Sequence, residues 1–194
     1  HHAVDLSGLL AGTGTQITET ARAATIAQEA LPPEVLLGKQ VFYDARDRRM
    51  SRDGYISCAV CHLDGEHDGR TGDFTDRGEG LRNTTTLIGK RGTGQGRLHW
   101  TANFDEIQDF EHDIRNAFLG KGFLPDDVFH AEGRDETLGG EKAGLSPELD
   151  AIDAYLTSLA AVNPSPHRNP DGTLTADAIE GETIFTRLAC DECH

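Results

Sequence analysis

The sequence has little of what builds an ordinary core. Hydrophobic residues fill 37% of its 194 positions and aromatics 6%, with one methionine and one tryptophan. Nothing approaches the run of about 18 apolar residues that a membrane-crossing helix needs, which excludes a transmembrane helix. Basic residues are few, 18 against 33 acidic ones, for a formal charge of −15. Nucleic acid needs a basic patch for its phosphates and is excluded as a partner. A basic protein or a neutral small substrate fits the charge, and so does solubility alone. No secretory signal peptide is recognisable. The opening His-His-Ala-Val-Asp reads as a tag remnant or as the internal start of a longer protein. Glycine is plentiful instead, at 22 residues. A flat apolar cofactor would supply core that the side chains do not, although loop-rich proteins share this composition.

All four cysteines fall in two units, Cys58-Ala-Val-Cys61-His62 and Cys190-Asp-Glu-Cys193-His194. In such a unit two thiols add to the haem vinyl groups and the next histidine binds the iron. The gap between the cysteines puts both sulfurs over one porphyrin edge, and the histidine swings under the metal. Three other readings compete. Thiol–disulfide exchange does not call for a following histidine. A four-cysteine zinc site leaves both histidines unused and must bridge the long interval from Cys61 to Cys190. A disulfide across so short a loop is strained, even in an oxidising compartment. Two covalently bound haem c groups are therefore expected, attached at Cys58, Cys61, Cys190 and Cys193, with His62 and His194 as proximal ligands. Haem c is assembled outside the cytoplasm, which points to the periplasm or the cell surface.

The patterning predicts an all-α, loop-rich chain of two cytochrome c-like haem domains, the second truncated. Residues 1–31 read as an N-terminal extension, with a short helix over 18–30. Residues 32–162 read as the first domain. Pro33 suits a helix first turn, and Val35, Leu36, Val41 and Phe42 share a face. Arg52-Asp53-Gly54 reads as a turn. Ser146 and Pro147 start a further helix with an apolar stripe of Leu149, Ile152, Tyr155, Leu156 and Leu159. The proline-rich stretch 163–174 reads as a linker. Residues 175–194 begin the second domain, with Thr175 as a helix cap. Leu37-Gly38 to Phe42 resembles Glu180-Gly181 to Phe185, an internal duplication ahead of each haem unit. Because the sequence stops at His194, a C-terminal remainder or another polypeptide is expected to complete the second domain.

Several ordered motifs carry a family resemblance. Leu37-Gly-Lys-Gln-Val-Phe-Tyr-Asp44, Ser51-Arg-Asp-Gly54, Ile56-Ser-Cys-Ala-Val-Cys-His62, Leu81-Arg-Asn-Thr-Thr-Thr-Leu87 and the run from Leu98 to Arg115 resemble the bacterial di-haem cytochrome c peroxidase and MauG-like family. The resemblance implies a first, peroxidatic haem and a second that feeds it electrons. It implies that Trp100 lies between the haems, that Asn83 lies near a calcium ion, and that Gln108 stands on the distal side of the first haem. It also marks departures. Phe118 stands near the place of a family glutamate, and Thr75 near that of a distal histidine. Glu111 or Asp113 is the acid offered instead, out of register.

Function then turns on the sixth position of each iron. An open position admits peroxide, whose cleavage needs a nearby acid and base; a second protein ligand leaves an electron carrier. Met50 reads as packing. His99 and His112 are the candidate sixth ligands. Two functions remain: a di-haem peroxidase or oxidase acting on hydrogen peroxide, and a non-enzymatic carrier with both irons six-coordinate. Either implies a small redox protein as electron donor or acceptor. The glycine-rich stretch 89–96 matches no phosphate loop in full, and the acidic cluster from Asp105 to Asp113 reads as a solvated helix face with Phe104, Ile107 and Phe110 inward.

Overall fold

Helices form here where a cap and an apolar face coincide. The computed structural model describes residues 2–24 and 27–193. An antiparallel hairpin pairs β1 (His2–Asp5) with β2 (Thr18–Arg22), with the single turn α1 (Ser7–Leu10) between them. The helix α2 (Pro33–Tyr43) starts on Pro33, whose missing N–H would have had no partner anyway. After the turn at Gly54 comes α3 (Cys58–Cys61). A second hairpin joins β3 (Thr71–Phe74) to β4 (Gly80–Asn83) across a tight turn at Thr75–Arg77. A 3-10 turn at Ile107–Phe110 runs into α4 (Glu111–Asn116), followed by α5 (Asp126–Phe129). Ser146 caps α6 (Pro147–Ser158) by accepting the Leu149 N–H at 3.3 Å. Thr175 caps α7 (Ala176–Arg187) through the Ala178 N–H at 3.4 Å.

The core is the crossing of α2 and α6. Gly38 lies against the α6 backbone, and a Cβ there would meet the Ala151 carbonyl oxygen at 1.7 Å. Phe42 packs edge-on to Tyr155 at 5.2 Å. Met50, Ile107, Ile114, Leu149, Ile152 and Leu156 complete the cluster, and Met50 is fully buried, as packing requires. Gly181 holds the matching place in α7, where a Cβ would meet no neighbouring element within 4 Å among the described residues. The two glycines should respond in opposite directions. Gly38→Ala is expected to lose at least about 3 kcal/mol, because the helices must separate. Gly181→Ala is expected to gain up to about 1 kcal/mol from helix propensity. Urea unfolding of the two variants checks the pair.

Two expectations are corrected. Among the described residues the fold is not all-α: it is 35% helical and 12% strand, mixed and loop-rich, and two haem domains are not shown. Beyond Thr175 the described residues form one helix and one turn, and α7 buries no residue. In place of the helix expected over 18–30, Thr18–Arg22 form the strand β2, exposed along its length, and the other described residues of the stretch are irregular; Thr25 and Ile26 lie outside the described residues. That stretch has no apolar face to bury, and helices in proteins owe most of their stability to such a face. Thr18 and Thr20 favour the extended chain, and β1 supplies the ladder.

Candidate haem site

The first cysteine unit is a single helical turn entered from extended backbone at Ser57. Residues three apart in a helix share a face, which sets the Cys58 and Cys61 sulfurs on one side. Buried Ala59 anchors the turn to the core, and Cys58 packs against the same cluster. Both thiols are free. Burial pushes the Cys58 thiol up to about 12 and raises that of Cys61. A thiol held protonated is a poor nucleophile for disulfide exchange.

His62 leaves the turn with its N–H on the Cys58 carbonyl at 2.9 Å. Its Nδ1 lies 3.3 Å from the Glu66 carbonyl oxygen. That contact fixes the ring and leaves Nε2 as the nitrogen for a metal, the arrangement usual in metal-binding histidines. Burial lowers the His62 pKa, against the carbonyls of Glu66 and Thr85. The ring is therefore neutral near pH 7, as a ligand must be. Two thiols and one oriented, neutral imidazole fit the donor set of haem c.

The second unit is more open. α7 ends at Leu188, Ala189 turns the chain at φ 54°, and Cys190 begins a 3-10 turn. Cys190 is half-buried and Cys193 exposed. His194 lies outside the described residues.

The structure gathers several predicted residues along the segment from β4 to α4. Trp100 is 54% exposed, and its indole N–H donates to the Asn83 carbonyl at 3.3 Å. Among the described residues no three His, Cys, Asp or Glu side chains converge as a metal site. Gln108 is buried and donates to Asp150 at 2.8 Å. Glu111, also buried, accepts from the Phe123 N–H at 2.9 Å, the Leu124 N–H at 3.0 Å and Arg115 Nε at 2.8 Å. His99 has both ring nitrogens engaged, Nδ1 by Asn103 Oδ1 at 2.8 Å and Nε2 by Arg77 at 3.2 Å. His112 sits among Phe104 and Phe129, with Nε2 buried and without a hydrogen-bond partner among the described residues.

The acidic run is not a solvated face, which corrects the expectation for residues 105–113. Asp109, Glu111 and Asp113 are buried. Each is met by groups from elsewhere: Asp109 by Lys142 at 2.7 Å, Glu111 by the turn at Phe123, and Asp113 by Arg77. Burial raises the Asp113 pKa, against Arg77 and the nearby histidines. Sequence reasoning missed Arg77, Glu79 and Lys142. The contacts that give them a role are long-range, across 22 residues for Arg77 with His99 and for Glu79 with Thr101, and 33 for Lys142 with Asp109.

Comparison with known proteins settles the family. The di-haem cytochrome c peroxidase model matches residues 32–180. The chain belongs to that family. Membership in the di-haem cytochrome c peroxidases makes haem c the cofactor class. It also fits a periplasmic or secreted c-type cytochrome. Among the described residues no helix is long and apolar enough to cross a membrane. A curated relative, hydrazine synthase subunit gamma of Kuenenia stuttgartiensis, is 31% identical over 163 residues, covering 78% of this chain and 40% of the relative. A solved structure of Kuenenia stuttgartiensis hydrazine synthase under 20 bar xenon covers 93% of this chain and 60% of that one, with a TM-score of 0.47 and 22% identity. The family match ends at residue 180, before Cys190.

Proposed function

We propose that this member of the peroxidase family carries two covalently attached haem c groups and passes electrons from the second to the first, where peroxide or a related small substrate reacts. The first haem is assigned to Cys58, Cys61 and His62, the second to Cys190, Cys193 and His194. Haem c, when bound, supplies the redox-active iron. Cys58 and Cys61 tether one edge of it, and His62 binds through Nε2 while Glu66 holds Nδ1. Trp100 offers an aromatic path between the two sites. The acidic surface attracts a basic redox partner, and the assigned setting is the periplasm or cell surface. The observation that supports the reading most is the His62 Nδ1 contact with Glu66 at 3.3 Å.

A six-coordinate carrier is the second reading. It is favoured by His112, whose buried Nε2 lacks a partner among the described residues and is available as a sixth ligand. It is favoured too by Gln108, whose amide nitrogen is engaged by Asp150, and by Glu111, whose carboxylate is engaged by the Phe123 turn. The intact mass and optical spectrum of the purified protein decide. Two haems are expected, and Cys58→Ser with Cys61→Ser should remove one from the mass and about half the Soret intensity. A high-spin signal that responds to peroxide supports the enzyme. Two low-spin haems inert to peroxide in every redox state support the carrier. Hydrazine is a second titrant, because the relative is named as a subunit of hydrazine synthase. A mass equal to the bare polypeptide sinks both.

A further inference from the structure

The loop that carries Trp100 lies outside any regular helix or strand, yet it is pinned on every side. Leu98 and Phe104 close its neck through the Leu98 N–H on the Phe104 carbonyl at 2.8 Å. Within it, His99 and Ala102 hold left-handed backbone at φ 66° and 54°, which non-glycine residues adopt only when their surroundings enforce it. Two side chains from the β3–β4 turn supply that enforcement. Buried Glu79 accepts both the N–H and the hydroxyl of Thr101 on one carboxylate oxygen, each at 3.0 Å. Arg77 Nη1 reaches His99 Nε2 at 3.2 Å. Arg77 is itself fixed by Asp113, by Glu79 Oε2 at 3.4 Å, and by stacking over Phe74 at 4.4 Å. The residues just before and just after Trp100 are thus tied together through one Arg–Glu pair. The indole N–H makes the third tie, to Asn83 at the far end of the same hairpin.

We propose that Arg77 and Glu79 are positioning residues, which set where the Trp100 ring stands for electron transfer. This rests on the reading of Trp100 as the path between the haems. A ring 54% exposed has too little packing to fix its own place, so the hairpin fixes it. In the step served, one electron leaves the second haem and one arrives at the first. Trp100 ends as it began, and no bond forms or breaks.

The chain has a single tryptophan, so fluorescence lifetime in the haem-loaded protein reports on this ring alone. Glu79→Ala is expected to shift that lifetime and to slow interhaem transfer. Glu79→Gln keeps an acceptor for Thr101 and should fall between. Thr101→Val removes one hydroxyl contact and should shift the lifetime slightly in the same direction. It keeps the test open where Glu79→Ala does not fold. Wild-type lifetime and transfer rate in folded, fully loaded Glu79→Ala, or in Thr101→Val in its place, would overturn the inference. Trp100→Phe separates the two ideas. Unchanged transfer in it, with a shifted lifetime in Glu79→Ala, removes the relay and leaves the clamp. Slowed transfer in it, with an unmoved lifetime in Glu79→Ala, removes the clamp and leaves the relay.

Discussion

Lys142→Met is expected to lower the unfolding free energy by about 3–5 kcal/mol. Lys142 Nζ lies 2.7 Å from Asp109 Oδ1, and both side chains are 1% exposed. In water the two charges would each be solvated. In the fold they have each other and a few polar neighbours. Methionine fills much the same volume, so the loss measures the stranded carboxylate and not a cavity. Asp109 is not wholly abandoned, since its other oxygen accepts the N–H groups of Asp105 and Glu106 at 3.0 and 3.3 Å. Urea unfolding gives the answer directly. A loss below about 1 kcal/mol, the scale of an exposed pair, would mean that those two backbone donors already satisfy the carboxylate.

Glu111→Gln should cost stability rather than chemistry. Resemblance makes Glu111 a candidate acid, but its two oxygens are already met by the N–H groups of Phe123 and Leu124 and by Arg115. Gly122 brings that turn so close that a Cβ there would sit 2.1 Å from Glu111 Oε1. An amide in the same place must aim its own NH2 at a donor, leaving a buried clash of donors worth about 1–3 kcal/mol, more with the charge on Arg115 lost as a partner. The expected result is a less stable protein whose folded fraction reacts with peroxide as the parent does. Full stability with lost peroxide reactivity would make Glu111 the proton donor after all.

What could be read beforehand was local. Pro33, Ser146 and Thr175 announce their helices because a cap acts within one turn. The stripe from Leu149 to Leu156 announces its buried face because spacing and burial share a period. The cysteine units are equally local, and the motif at Cys190 is the signal for a second haem, since the family match stops short of it. The acidic run misled for the opposite reason. Its partners Lys142 and Arg77 stand 33 and 36 residues away, and a charge with a distant partner looks like any solvated charge. The same holds for Glu79, whose role depends on the return of the chain at Thr101. The all-α expectation failed because the haem motif fixes one helical turn and leaves the loops around it free to pair as hairpins.

Burying Glu79, Asp109, Glu111, Asp113 and Lys142 beside a small apolar cluster also shapes the thermal behaviour of the polypeptide. Hydrating apolar surface raises heat capacity on unfolding, and hydrating polar surface lowers it. A molecule that releases both together has a shallow dome of free energy against temperature. Its hold on the native state then varies little between a cold and a warm habitat.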